Sequence, residues 1–217
     1  AQTPLSSREN SRLLAYDKTN DKITHDYFYN LQSYLKKGDL LCINNTRVLP
    51  ARLYGNTESG GKVEFLLLKR IQGDTWEVLV KPGKKARTGA VITFSPELSA
   101  KVTGNGVDGT RIADFSYQGI FESILEKIGE MPLPHYIKQK LDDGERYQTV
   151  YSRFSGSAAA PTAGLHFTPS LMQKLESSGV SFAKVLLHVG LGTFRPVKTE
   201  DILQHKMHSE YFEVSEE

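Results

Sequence analysis

A run of small residues precedes a histidine in the stretch SAAAPTAGLHFT, residues 157–168. Small side chains bury little apolar area, so this run is a poor way to build a hydrophobic core. It leaves instead a concave surface that the backbone can line, with His166 at its edge and a helix start at Thr168. The positive end of that helix favours a neutral imidazole, which makes His166 a candidate general base. Close packing around a hydrogen-bonded histidine is an equally good interpretation.

A second histidine, His188, opens the glycine-rich stretch HVGLGTFRP, residues 188–196. A strand that precedes it would deliver Gly190 and Gly192 to the end of a sheet, where open α/β proteins bind ligands. Glycines there let a ligand approach the backbone closely. A tight turn with a bulge explains the same glycines, and the sequence leaves both interpretations open.

The loop NNTRVLPAR, residues 44–52, follows a predicted strand and carries two amides and two guanidinium groups. Arg47 and Arg52 offer planar forks that suit a carboxylate or a phosphate. A turn with solvated arginines is the simpler alternative. So many polar groups in one loop favour a polar binding site.

Four basic residues lie close together in KPGKKAR, residues 81–87, at a predicted hairpin tip. They are Lys81, Lys84, Lys85 and Arg87. Such a run is usually a solvated loop, but it also suits an RNA phosphate backbone.

Two further motifs do not support the sites that they suggest. The segment GNGVDG, residues 104–109, matches the dinucleotide-binding fingerprint, but its Asn-Gly and Asp-Gly pairs and the strand-like residues after it predict a hairpin. In HKMHSE, His205, His208 and Glu210 suggest zinc, but three ligands without a cysteine nearby are a weak metal signal. We therefore expect no metal.

The overall composition indicates a globular chain of 217 residues with a net charge of +2. A chain of this length can bury a sizeable core without disulfides, and its single cysteine, Cys42, favours a reducing compartment. We therefore expect a cytoplasmic protein. There is no apolar run of about 18 residues, so we expect no membrane insertion.

The elements that must position these residues are predicted from periodicity and turn signals. Apolar runs indicate buried strands near residues 39–43 and 180–188, and a weak helical pattern precedes the first. Helices are predicted in GIFESILEKIG, ending at Gly129, and in FTPSLMQKLESSG, with Thr168 as N-cap and Gly179 as C-terminal glycine. After its two prolines, EMPLPHYIKQK resumes a helical spacing.

Between residues 52 and 117, β-rich runs alternate with Gly-Gly, Gly-Asp, Pro-Gly, Asn-Gly and Asp-Gly turns, a pattern typical of a small antiparallel barrel. We predict an α+β fold, a mixed α/β body with this barrel inserted. The barrel domain would span residues 52–117, and the catalytic body residues 1–51 and 118–217.

Five segments together resemble a known family in their order and spacing. They are NNTRVLPARL, GEMPLPHYI, ERYQTVYSRFSGSAAAPTAGLHFT, HVGLGTFRPV and HKMHSEYFEV. The family is that of the S-adenosylmethionine:tRNA ribosyltransferase-isomerases of queuosine biosynthesis, and the resemblance spans nearly the whole chain. Members of this family extend further at both ends, so we expect the C-terminal part of the family to be absent from this sequence.

The resemblance implies an enzyme that moves the ribosyl group of S-adenosylmethionine onto 7-aminomethyl-7-deazaguanine in tRNA and isomerises it, with release of adenine and methionine. It implies His166 or His188 as base and Glu130, Tyr147 or His208 as secondary proton carriers. We expect a monomer whose partners are tRNA and S-adenosylmethionine as co-substrate. The residues that would accommodate this donor are Ala159, Pro161, Thr162, Ala163, Gly164, Gly190, Gly192, Thr193, Arg47 and Arg52.

Two other functions fit parts of the sequence. The HVGLG loop alone would suit an S-adenosylmethionine-dependent methyltransferase. The inserted β-rich segment alone would suit a noncatalytic tRNA-binding module. The ordered set of segments favours the ribosyltransferase-isomerase.

Overall fold

The fold is that of a computed structural model, which describes residues 2–134, 136–190, 199–204, 207 and 209–215, with Asp108 described by its backbone alone. In this part of the chain the α-helices are α1 (Phe121–Ile128) and α2 (Pro169–Ser177). The strands are β1 (Arg12–Asp17), β2 (Lys22–Tyr27), β3 (Leu40–Asn44), β4 (Thr46–Val48), β5 (Arg52–Thr57), β6 (Lys62–Gln72), β7 (Thr75–Lys81), β8 (Val91–Ser95), β9 (Leu98–Asn105), β10 (Arg111–Tyr117), β11 (Phe154–Ser157), β12 (Ser181–His188) and β13 (Tyr211–Val214).

Strands β5 to β10 close into an antiparallel barrel with the order β10-β7-β6-β5-β8-β9. Buried and less buried residues alternate along β7, because successive side chains of a strand point to opposite faces. Leu53, Phe65 and Val78 are completely buried inside the barrel. The structure confirms the predicted fold class, α+β with a small antiparallel barrel.

The rest of the described chain contains three small sheets and the two helices, and one of these sheets is the antiparallel hairpin of β1 and β2. Strand β12 pairs in parallel with β3 and antiparallel with β13. After β3 the chain leaves this sheet, and β4 pairs in parallel with β11. Helix α2 packs through Leu171 and Leu175 in a cluster with Phe167 and Val180.

Local signals correctly predicted both helices. Thr168 caps α2, because its Oγ1 accepts a hydrogen bond from the N–H of Leu171 at 3.1 Å. Gly179 follows the last turn with a φ of +88°, a conformation that favours glycine. Helix α1 ends at Gly129, as predicted.

Two predicted helical segments have other conformations. Phe28–Tyr34 is a 3-10 helix, because this short segment is rich in aromatic and polar residues that are poor α-helix formers. Asn30 and Tyr34 both donate to the carboxylate of Asp26, at 2.7 and 2.8 Å, which ties the segment back to β2. The described residues of 134–140 contain no helix.

Two predictions about strands also need correction. The segment 82–90 is not a hairpin tip, because β7 and β8 are separated in the barrel by β6 and β5. Strands β3 and β12 are not fully buried: Leu40 and Cys42 are exposed, and no residue of β12 is buried. The Asn-Gly and Asp-Gly pairs of 104–109 do lie between the paired strands β9 and β10, as predicted.

Sequence patterns did not reveal the hairpin of β1 and β2. Its turn has no glycine; the carboxylate of Asp17 accepts hydrogen bonds from the N–H groups of Thr19 and Asn20, at 2.9 and 3.3 Å, and Asp21 has a φ of +47°. Asp and Asn tolerate such turns through these side-chain bonds. A turn without Gly or Pro gives a weak sequence signal.

The barrel core makes a direct prediction about stability. Phe65 is 0% exposed and its ring contacts Phe94 edge-on, with centroids 5.2 Å apart. Phe65→Ala should lower the free energy of unfolding by about 3–5 kcal/mol, because it removes buried area and leaves a cavity. Urea titration checks this through the fluorescence of the single tryptophan, Trp76, which is buried in the barrel.

The matched control is Ile71→Ala on the same strand, where the side chain is 51% exposed. Its effect should stay within about 0.5 kcal/mol. Equal losses in the two variants would contradict this account of the core.

Candidate functional site

His188 stands at the end of β12 with one ring nitrogen already bonded. Its Nδ1 lies 2.9 Å from Oγ1 of Thr46, the buried first residue of β4. The ring of Tyr211 stacks on the imidazole with centroids 5.7 Å apart. The tautomer with the proton on Nδ1 donates to Thr46 and leaves the lone pair on Nε2.

A glycine makes room for this imidazole. Gly156 in β11 has a φ of +152°, and a Cβ added there would lie 2.6 Å from Nε2 of His188. Any larger residue would therefore displace the ring. The small residue at this position is explained by close approach of an imidazole to the backbone.

Hydrogen bonds tie the residues after His188 to the start of the alanine-rich stretch. The N–H of Val189 donates to Oγ of Ser157 at 2.9 Å, and the N–H of Ala158 donates to the carbonyl of Val189 at 2.9 Å. The N–H of Gly190 donates to Oε1 of Glu210 at 2.7 Å. The structure thus brings His188 and Gly190 together with Ser157 and Ala158.

Burial lowers the pKa of the His188 imidazole from its ordinary value of 6.5. Removal from water disfavours the charged ring. A neutral imidazole at pH 7 is the form that can accept a proton.

The alanine-rich stretch itself is packed. Ala158, Ala159 and Ala160 are between 3% and 7% exposed, and Ala160 packs against Val48 and Tyr147. Packing thus accounts for these alanines, and the assignment of Ala159 to donor binding stays a prediction.

The residues that follow the alanines serve a second set of contacts. A Cβ at Gly164 would overlap the hydroxyl of Tyr151. His166 is half-buried with its ring 5.3 Å from Phe28. Thr162 and Ala163 are exposed, and Pro161 is half-buried. The structure brings His166 together with aromatic residues and with no other predicted catalytic residue in the part that it describes.

An open cavity of about 570 Å³ lies between the start of β5, the end of α1 and the segment 130–148. Three predicted site residues line it: Arg47, Arg52 and Glu130. Its apolar lining includes Leu49, Met131, Leu133 and Leu141. The charged side chains that line it are Arg47, Arg52, Lys138, Lys140, Glu122, Glu126, Glu130, Asp143 and Glu145.

The two arginines of the cavity have different partners. Arg47 forms a two-point ion pair with the carboxylate of Glu145. Arg52 lies 3.4 Å from Glu64 through Nε, and its backbone exchanges two hydrogen bonds with Glu130. The Glu130 carboxylate is 3.1 Å from Nζ of Lys140.

His188 and the cavity lie on two sides of strand β4. Thr46 and Arg47 are consecutive residues, so their side chains point to opposite faces of the strand. Thr46 contacts His188, whereas Arg47 lines the cavity. The structure therefore separates the predicted base His188 from Arg47, Arg52 and Glu130 by one strand.

Tyr147 is buried beside this strand. It packs with Val48 and Ala160, its hydroxyl is hydrogen-bonded by the backbone of Ala160, and burial raises its pKa. It is therefore protonated at neutral pH, and its O–H can donate a proton or a hydrogen bond.

The four basic residues predicted to contact RNA, Lys81, Lys84, Lys85 and Arg87, are all exposed. Lys81 is the last residue of β7, and the other three lie on the connection from β7 to β8. None of them forms an ion pair with a residue that the structure describes. Their charge is available to an external anion.

Some predictions fall outside the described residues: those for Gly192, Thr193, His205 and His208. Among the residues that are described, no group of three His, Cys, Asp or Glu side chains is arranged to hold a metal ion. No described helix is long and apolar enough to cross a membrane.

Sequence reasoning missed three residues that shape these sites. Thr46 and Gly156 hold His188, and Glu145 pairs with Arg47. Glu145 is far from Arg47 along the chain, so no local pattern could have paired them. Gly156 did carry a signal, because an isolated glycine in a strand often marks a close backbone approach.

The whole chain, residues 1–217, matches the family model described as "Queuosine biosynthesis protein". The chain belongs to this family. Two relatives, from Carboxydothermus hydrogenoformans and Acetivibrio thermocellus, are each 58% identical over 100% of this chain and carry the name S-adenosylmethionine:tRNA ribosyltransferase-isomerase. The chain spans 64% of the length of each of these relatives.

A solved structure is also similar to this chain. It is that of the S-adenosylmethionine tRNA ribosyltransferase from Thermotoga maritima, which is 35% identical. The alignment covers 87% of this chain and 54% of that protein, with a TM-score of 0.35.

The lowered pKa of His188 predicts how stability depends on pH. The unfolded chain protonates this imidazole at a higher pH than the folded chain does. The contribution of His188 to stability is therefore complete above about pH 6.5 and is lost as the pH falls below that value. Urea unfolding of the wild type and of His188→Gln at about pH 8 and about pH 5 measures it.

The wild type should lose more of its free energy of unfolding over this range than His188→Gln, which has no imidazole at that position. Identical losses in both proteins would show that folding does not hold His188 neutral.

Proposed function

We propose that the protein that carries this chain is a S-adenosylmethionine:tRNA ribosyltransferase-isomerase. It transfers the ribosyl group of S-adenosylmethionine to 7-aminomethyl-7-deazaguanine in tRNA and isomerises it to give epoxyqueuosine, with release of adenine and methionine. The observation that carries this proposal is the 58% identity of the whole chain to relatives named for that activity. We further propose a monomer that works in the cytoplasm on tRNA.

The reaction requires a base that removes a proton from the 5′ carbon next to the sulfonium. We assign this step to His188. Its lowered pKa and its bond to Thr46 support the assignment, because they favour a neutral ring held in one orientation. His166 fits less well, because it packs among aromatic side chains.

Adenine leaves more easily when an acid protonates it. We assign this proton to Glu130, which lines the cavity and is 40% exposed in its side chain, and which must leave Lys140 and take up a proton from solvent before it acts as the acid. Tyr147 is a weaker candidate, because it is buried and does not line the cavity. The cavity that contains Glu130 would hold S-adenosylmethionine. Its 5′ carbon must then reach past the edge of β4 to meet His188 on the other side of the strand.

Two other functions can be distinguished from the ribosyltransferase-isomerase by their reaction products. A methyltransferase would release S-adenosylhomocysteine in place of adenine. A noncatalytic tRNA-binding module would consume no S-adenosylmethionine. The exposed basic residues of the barrel favour RNA binding, whether the protein is a methyltransferase or a noncatalytic module.

The assignment of the base is tested by His188→Gln. Adenine release from S-adenosylmethionine, measured with tRNA that carries the aminomethyl precursor, should fall about 10²- to 10⁴-fold. The control is His25→Gln, an exposed histidine of β2, which should keep the wild-type rate. If His188→Gln is as fast as the wild type and His166→Gln is slow, then His166 is the base and our assignment is wrong.

RNA binding by the barrel is tested by a triple variant, Lys84→Gln, Lys85→Gln and Arg87→Gln. Loss of three phosphate contacts should weaken tRNA binding and reduce the slope of log affinity against log salt by about 2 to 3. Filter binding at several salt concentrations measures this slope. The control removes three exposed lysines elsewhere, Lys18, Lys22 and Lys36. The same slope change in both triple variants would show that the barrel residues have no special contact with tRNA.

A further inference from the structure

The sequence left open which arginine of the cavity binds a ligand carboxylate. The contacts of Arg52 are those of a structural residue. Its N–H and C=O pair with the backbone of Glu130 at 3.1 and 2.8 Å, and its Nη2 lies 3.5 Å from the carbonyl of Leu133. These contacts fasten the first barrel strand to the segment after α1, whereas Nε lies 3.4 Å from Glu64 on β6 without forming a hydrogen bond.

Arg47 is held differently. Its two terminal nitrogens face the two carboxylate oxygens of Glu145, with Nη1 and Oε2 at 3.2 Å, and Nη1 is 3.3 Å from Oγ of Ser152. This is the geometry in which a guanidinium binds any carboxylate. The Glu145 side chain is 63% exposed. An exposed ion pair contributes little to stability, so a ligand carboxylate can replace Glu145 at small cost.

The rest of the cavity favours a ligand with more positive than negative charge. Among the lining residues other than Arg47 and Glu145, carboxylate side chains outnumber cationic ones, four to three. A nucleic-acid phosphate brings only negative charge to these carboxylates. An α-amino acid that also carries a sulfonium brings a carboxylate and two cations. Met131, Leu133 and Leu141 supply an apolar surface for its methylene groups.

We propose that Arg47 and Glu145 together bind the α-amino-carboxylate end of S-adenosylmethionine. Arg47 leaves Glu145 and takes the ligand carboxylate, and Glu145 then accepts hydrogen bonds from the ligand ammonium. The Arg47–Glu145 ion pair in the structure is the arrangement that precedes this exchange. This inference rests on the proposed function, because it names how that donor is held.

Arg47→Gln tests the carboxylate contact. Its affinity for S-adenosylmethionine, measured by isothermal titration calorimetry on the full-length protein, should fall about 10- to 150-fold, because a charged hydrogen-bond pair is lost. Its affinity for the decarboxylated analogue should not fall, since that ligand has no carboxylate for Arg47 to bind and the variant frees Glu145 for the ligand ammonium. Equal losses for both ligands, or no loss for either, would overturn the proposal.

Glu145→Gln tests the exchange, with a readout that a merely structural role would not give. The variant frees Arg47, so it should bind the analogue that lacks the amino group up to about fivefold more tightly than the wild type does. For S-adenosylmethionine itself, the gain in affinity should be smaller than for the deaminated analogue, because the ligand ammonium loses its contact with the Glu145 carboxylate. Weaker or unchanged binding of the deaminated analogue would refute the exchange.

The matched controls are Glu97→Gln and Lys127→Gln, which break an exposed ion pair of 3.7 Å that does not line the cavity. Both should bind all three ligands as the wild type does; a loss like that of Arg47→Gln would count against the proposal. If the wild type releases adenine and Arg47→Gln binds S-adenosylmethionine as tightly as the wild type does, this inference is refuted and the proposed function stands. Arg47-dependent binding without turnover would refute the function alone, and no binding by the wild type would refute both.

Discussion

The side-chain amide of Gln148 fixes strand β4, and both candidate sites depend on that strand. Its Oε1 accepts from the N–H of Val48 at 2.9 Å, and its Nε2 donates to the carbonyl of Val48 at 2.8 Å. Gln148 is 2% exposed, so neither bond has water as a competitor. Leaving either buried backbone group without a partner would cost about 1–3 kcal/mol. A strand of three residues needs such an external constraint, because its own ladder is too short to hold it.

The two faces of β4 offer different electrostatic environments for chemistry. On one face, burial keeps the His188 imidazole neutral beside Thr46. On the other, Arg47 stands in an open cavity where charged groups keep part of their hydration. Proton abstraction needs the first environment, and exchangeable recognition of a charged ligand needs the second. One strand provides both because alternation of its side chains separates them by a single residue.

Local signals in the sequence predicted the elements that have strong caps and turns. They did not predict contacts between residues that are far apart in the chain. Thr168, Pro169 and Gly179 marked α2, and the glycine-rich turns marked the barrel. The pairing of Arg47 with Glu145 joins β4 to the 3-10 helix Gly144–Tyr147, far along the chain, so no periodicity reports it. The connection after Lys81 resembled a hairpin, because composition predicts a turn but not which strands are neighbours. His166 and His188 are equal candidates for the base in the sequence, and our proposal of His188 rests on packing that no local pattern reports.

The small residues between 156 and 164 have a role in packing. Gly156 lets the His188 ring approach the backbone, and Gly164 does the same for the hydroxyl of Tyr151. Burial raises the pKa of that tyrosine to about 12, so it stays neutral within the packed layer. Ala158 and Ala159 lie between these two glycines in the sequence, and their small side chains allow the packed layer to close. Small residues here leave space for protein rings, and through that packing they orient the imidazole on which the proposed proton transfer depends.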